Sequence, residues 1–231
     1  MNETLTFVQE TITTKKQIHH VVVNAGKIVQ MQNDLQLRES VNNSDIINAD
    51  GQAVVWAAKF LKKPLKERVA GIDLMEKLVK LAASKNYRIY FFGAEEDVVS
   101  KTVAHYSREC SQDIIAGYRN GYYQPEDEDE IINDIVSSKA NILFVAITSP
   151  KKENFLYKYK NELASVNFIM GVGGSFDVIA GKTKRAPVWM QDIGLEWFYR
   201  FLQEPKRMWK RYLVGNSKFI LLVLKEKLRA K

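Results

Sequence analysis

Four segments of this chain carry residues whose type and spacing can do chemistry. The first is Gly171-Val172-Gly173-Gly174-Ser175, placed directly after the apolar run Phe168 to Met170. A glycine-rich turn between a strand and a helix offers backbone N–H groups and a helix N-terminus to an anion, with Ser175 positioned to cap the helix. The same spacing also suits a plain tight strand-to-helix connection, and the dinucleotide fingerprint is incomplete because its sixth position is Phe176. The second is Asp50 in IINADGQAVVWAAKFL, a lone carboxylate between a short strand and a long helix. It can take a proton from a substrate hydroxyl as a general base, or it can cap the helix. The third is Ser149-Pro150-Lys151-Lys152-Glu153, which opens a helix after another strand: either a second helix start facing a phosphorylated ligand, or a capping pattern with Pro at the first helical position. The fourth is the loop holding Lys182, Lys184 and Arg185, which ends at Pro187. Loop lysines are usually solvated, so the two lysines are assigned to water and Arg185 is left open between water and phosphate.

One acidic run invites a metal reading. Asp127-Glu128-Asp129 resembles the triplet with which many nucleotide-sugar transferases hold a divalent cation. Here it follows Pro125 and opens a helix running to about Ser138, where acids in the first turn complement the helix dipole. The chain is therefore expected to use no metal and no cofactor.

These groups need elements to position them, and the apolar periodicity supplies an alternating pattern. Strands are expected at residues 18–23, 45–48, 87–92, 113–116, 142–146 and 167–170, with helices over 51–61, 73–83 and 150–163. Such an order implies an α/β fold with a mainly parallel sheet covered by helices. In an open parallel sheet, ligands sit beyond the carboxyl ends of the strands. Asn24, Asp50, Gly93, Ser149 and Gly171 all fall just past an expected strand end.

Composition bounds the rest. A 231-residue chain with 46% hydrophobic residues can bury a substantial core, which excludes a disordered protein. A single cysteine, Cys110, excludes an internal disulfide and a multi-cysteine zinc site; three histidines make a histidine-rich centre a poor fit. The first sixteen residues are polar, and the longest apolar run is Phe219 to Leu224, far short of the roughly 20 residues of a spanning helix. A cytoplasmic location is expected. The net charge of +7 is confined to one end: Leu195 to Lys231 holds ten Lys/Arg against three Asp/Glu, leaving 24 of each sign before it. Those cations alternate with Trp197, Phe198, Tyr199, Trp209, Tyr212 and FILLVL, and Glu204-Pro205 and Gly215-Asn216-Ser217 divide the segment into three short helices. The mixture fits an interfacial helix on anionic lipid, a nucleic-acid-binding tail, or a basic helix docked on the protein's own core.

Several of these segments together resemble a known family. NADG (48–51), KPLKERVAGIDL (63–74), FFGA (91–94), NGYY (120–123), SPKKE (149–153), GVGGSFDVIAGKTKRAP (171–187) and LEWFYRFLQEPKRMWKRY (195–212) occur in the order found in the WecG/TagA/CpsF glycosyltransferases, and the resemblance covers about residues 21–212. It implies a Rossmann-like core over residues 1–194 and a basic amphipathic helical appendage over 195–231 that binds an anionic membrane surface. It implies an inverting, metal-independent enzyme that moves a sugar from a UDP-sugar to a polyprenyl-diphosphate-linked acceptor at the cytoplasmic membrane face. In teichoic-acid members that sugar is N-acetylmannosamine and the acceptor is undecaprenyl-diphosphate N-acetylglucosamine. The proposed general base of the family falls on Asp50. Asn24, Gly93, Ser149, Lys152, Gly171, Gly173, Gly174, Ser175 and Arg185 become donor- or acceptor-binding candidates, and Arg207 and Arg211 candidate diphosphate partners. Nucleic acid is not an expected partner; self-association is allowed. Two positions depart from the family pattern: Val22, where many members have threonine, and Lys152, where they have glutamine. The N-terminus also looks shorter than usual. Other UDP-sugar donors, a nucleotide-cofactor oxidoreductase and a basic lipid- or nucleic-acid-binding adaptor are the rival readings.

Overall fold

A computed structural model describes residues 1–65, 67–209 and 214–229 of the chain. Its centre is a six-stranded, all-parallel sheet flanked by helices: β1 (Ile18–Val23), β2 (Ile46–Ala49), β3 (Ile89–Gly93), β4 (Ile115–Arg119), β5 (Ile142–Ala146) and β6 (Phe168–Gly171), in the order β2-β1-β6-β5-β3-β4. The three strands β3, β5 and β6 are buried at every residue, as expected where helices cover both faces. On one face Phe91 packs against Tyr106, Phe144 and Phe176, with ring centroids 5.7–5.9 Å apart. On the other, Tyr90 and Phe92 join Leu143, Val145, Ile131 and Phe155.

The expected strands all form, with one displaced. The segment at 113–116 becomes β4 at Ile115–Arg119 because Gln112–Ile114 takes a single 3-10 turn. Ser111 starts that turn, its Oγ accepting from the Asp113 N–H at 3.1 Å. The opening segment holds more structure than its polarity suggests. Asn2–Thr13 is a helix that buries Val8, Thr11 and Ile12, one stripe at helical spacing, against the Gly71–Lys85 helix and β6.

The chain divides into two compact units: Met1–Val21, Glu39–Ile47 and Gly71–Thr183 in the first, Val22–Arg38, Asn48–Ala70 and Lys184–Lys231 in the second. Within the second, the Gly215–Arg229 helix packs on the Ala25–Gln30 helix and buries Phe219. Its Lys227 Nζ donates to the Phe60 carbonyl at 2.9 Å, at the end of the Gln52–Phe60 helix.

Acid should weaken the first unit through His19. This β1 residue is 6% exposed, and burial, helped by the nearby Lys160 charge, lowers its pKa from 6.5 to about 4. The folded state then binds fewer protons than the unfolded state between those two values, so the stabilisation is fully present above about pH 6.5 and is lost as pH falls towards 4. The shift corresponds to about 3 kcal/mol, of which roughly 2 should be gone by pH 5. Urea unfolding from pH 7 to 4.5 should show this slope, and His19→Gln should flatten it.

Candidate active site

In the first unit, β6 delivers the chain into the glycine turn. The Val172 N–H donates to the Val145 carbonyl at 2.9 Å, which ties the turn to the end of β5. Ser175 does not cap the helix that follows. Its Oγ donates back to the Val172 carbonyl at 2.7 Å and its N–H to the same oxygen at 3.2 Å, while Gly174 occupies the cap position of the Ser175–Ile179 helix. Ser175 thus closes the turn: its hydroxyl donates to the nearby Val172 carbonyl instead of accepting from a helix N–H. Gly173 takes φ 55°, and the amides of Gly173 and Gly174 have no acceptor among the described residues. Two such adjacent donors suit an anion; the five-residue helix behind them adds little dipole.

The neighbouring strand ends are closely fitted. Gly93, at φ 122°, ends β3 where a Cβ would lie 2.5 Å from the Ala146 carbonyl carbon, so only glycine lets β3 approach β5 this closely there. Ala94 then donates to the Ala146 carbonyl at 2.9 Å and accepts from the Gly121 N–H at 2.8 Å. Beyond these ends lies a shallow, open surface depression of about 400 Å³ lined by Glu95, Glu96, Asn120 and Tyr122. Asn120 holds its rim: the side chain donates to Glu96 at 2.8 Å and accepts from the Tyr122 N–H at 3.0 Å, leaving the Tyr122 ring 74% exposed.

The third strand end holds SPKKE. Ser149 is exposed and precedes a cis peptide to Pro150, which itself occupies the cap position of the Lys151–Lys158 helix, so Ser149 is not the cap. The two lysines part company. Lys151 Nζ lies 3.5 Å above the Tyr123 ring and donates to the Tyr123 carbonyl at 3.2 Å, joining this motif to NGYY. Lys152 turns inward, where its ammonium is 3.3 Å from the Glu153 carboxylate and both side chains are buried.

The second unit carries Asp50. Gly51, not Asp50, occupies the cap position of the Gln52–Phe60 helix. Asp50 precedes that position: its backbone N–H donates to the Val23 carbonyl at 2.9 Å, and its side chain is half-buried. Asn24 does cap, accepting from the Lys27 N–H at 3.0 Å at the start of the Ala25–Gln30 helix. A Cβ on Gly51 would stand 3.5 Å from that of Asn24, so the end of β1 and the residue after Asp50 are in contact. Arg185 and Arg68 converge on Glu196, Arg185 Nε at 3.8 Å and Arg68 through a short hydrogen bond. Arg68 and Glu196 carried no assigned role in the sequence, although both lie within family-like motifs; the signal was their membership of those motifs.

The loop lysines differ, and the acidic run has partners. Lys182, assigned to water, pairs with Glu95 at 2.7 Å, and Gln203 grips the Lys184 backbone from both sides at 3.1 and 2.9 Å. In the acidic run, Asp127 forms a capping box with Gln124, Glu128 accepts from Lys158 at 2.7 Å and Tyr159 at 3.0 Å, and Asp129 accepts from Tyr159 at 3.2 Å. Replacing Asp127 and Asp129 with alanine should lower stability by about 1 kcal/mol each, the scale of a lost cap or hydrogen bond. Thermal unfolding measures that loss, and turnover should stay near the original.

The profile of the glycosyl transferase WecG/TagA/CpsF family matches residues 1–231. The chain belongs to that family. Two curated relatives are similar over most of their length, both named N-acetylglucosaminyldiphosphoundecaprenol N-acetyl-beta-D-mannosaminyltransferase. The protein of Bacillus spizizenii (strain ATCC 23059 / NRRL B-14472 / W23) is 38% identical over 185 residues, 80% of this chain and 70% of the relative. That of Bacillus subtilis (strain 168) is 35% identical over 217 residues, 90% of this chain and 83% of the relative. The glycine turn of this WecG/TagA/CpsF-family enzyme follows β6, whereas the dinucleotide fingerprint follows the first strand of a sheet ordered 3-2-1-4-5-6. Of its appendage arginines, Arg207 belongs to the Pro205–Trp209 helix and Arg211 lies outside the described residues. Among the described residues no helix is long and apolar enough to cross a membrane.

Proposed function

We propose that this glycosyltransferase moves N-acetylmannosamine from its UDP form to undecaprenyl-diphosphate-linked N-acetylglucosamine, a step in teichoic-acid or related surface-polysaccharide synthesis at the cytoplasmic membrane face. The observation that carries the reading is Asp50, a half-buried carboxylate just past the end of β2, its backbone fixed by an N–H bond to the Val23 carbonyl. Asp50 takes the proton from the acceptor hydroxyl as that oxygen bonds to the anomeric carbon; the bond from that carbon to the diphosphate breaks, inverting the centre and releasing UDP. The amides of Gly173 and Gly174 receive the departing negative charge, and Arg207 and Arg211 add the guanidinium forks that match phosphate oxygens. The depression beside Tyr122 offers a ring and carboxylates, which suit a nucleobase and ribose hydroxyls better than phosphate. Residues 195–231 act as the appendage that meets anionic lipid, on a core formed by residues 1–194.

A panel of UDP-sugars offered with a lipid-diphosphate N-acetylglucosamine analogue tests the reading through UDP release. UDP-N-acetylmannosamine should be consumed, in EDTA as well as without it, and Arg207→Ala or Arg211→Ala should slow release markedly. Turnover of UDP-glucose or a UDP-uronic acid in its place would reassign the donor, and loss of activity on chelation, restored by magnesium, would reinstate a metal.

A further inference from the structure

Lys152 is a buried cation of the first unit. Its side chain is 7% exposed, an ammonium has three donors, and the only partner found for it among the described residues is the Glu153 carboxylate at 3.3 Å. Burying a charge with so few hydrogen bonds is costly, so a retained one calls for a further oxygen. Its position indicates which. The Lys152 stem runs across the end of β6, where a Cβ on Gly171 would lie 2.5 Å from Cε and 3.1 Å from Nζ. Gly171 does not have a positive φ, so the feature that favours glycine there is the passage of this side chain, which a Cβ would displace. The next residues are Val172, Gly173 and Gly174, whose last two amides have no acceptor.

We infer that Lys152 and the Gly173 and Gly174 amides form one oxyanion site that holds the diphosphate of the nucleotide donor, with Glu153 keeping the ammonium in place between turnovers. This rests on the proposed nucleotide-sugar activity and deepens it: the cation that meets the leaving group sits in the first unit itself, threaded past a glycine kept small for it.

Calorimetric titration of the full chain with UDP and with uridine separates the diphosphate from the nucleoside. Lys152→Gln should weaken UDP binding roughly 10- to 100-fold, the loss of a charge-assisted contact, and change uridine binding less than about twofold. Gly171→Ala, which leaves the charge but obstructs its path, should weaken UDP in the same selective way. If Lys152→Gln leaves Glu153 uncompensated and the protein unfolds, the Lys152→Gln/Glu153→Gln pair removes both charges and should show the same selective loss. A variant that binds UDP as tightly as the original protein, with only a lowered melting temperature, would overturn the inference and reduce Lys152 to a counter-charge for Glu153. Binding of neither UDP nor uridine by the original protein would overturn the nucleotide-sugar reading itself, and this site with it.

Discussion

Asp50→Asn should cut turnover at least about 100-fold while leaving the fold and UDP affinity unchanged. The amide has the size of the carboxylate and keeps the backbone N–H bond to Val23, but it cannot accept the acceptor's proton, and general-base catalysis typically contributes 100-fold or more. Asn caps helices about as well as Asp, so whatever contact the side chain makes with the helix start is kept, and the melting temperature should move little. Single-turnover transfer and UDP titration on the same preparation check both halves. Retention of more than about a tenth of the original rate would exclude Asp50 as the base.

The second large effect is expected at the lipid surface. The Gly215–Arg229 helix is neither wholly docked nor wholly free: Phe219 is buried, whereas Ile220, Leu221, Leu224 and Leu228 are exposed, with Lys218 and Lys225 also at the surface. Replacing Ile220, Leu221 and Leu224 with serine should cost about 3 kcal/mol of apolar insertion, near 100-fold in partitioning to anionic vesicles, while Phe219 keeps the helix in place. Flotation with phosphatidylglycerol vesicles reads this directly, and turnover on a long-chain acceptor should fall with it. Co-flotation equal to that of the original protein would remove this helix from the membrane contact. Deleting residues 195–231 is a blunter experiment. It should also abolish lipid binding and nearly all activity, but it takes Glu196 from Arg68 and Arg185, and Gln203 from Lys184.

What the sequence alone determined was the sheet, the family and the identity of the candidate residues. Runs such as Ile142–Ala146 are apolar without interruption because both faces of a parallel strand are covered, and that pattern is local. The Asn2–Thr13 helix escaped because its buried stripe is only three residues within a polar segment. Tertiary structure decided what each side chain does. Ser175 could cap or close a turn, and the acceptor at Val172 chose the turn. The cap position after Asp50 falls on Gly51, while Asn24 caps its helix through Lys27. The acids at 127–129 found Gln124, Lys158 and Tyr159, partners that lie on both sides in sequence and as far as 31 residues away. Lys151 and Lys152 are neighbours of the same type, yet one stacks on Tyr123 and the other is buried beside Gly171. Adjacent helical residues point about 100° apart, so the surroundings that separate these two lysines come from strands and loops distant in the chain.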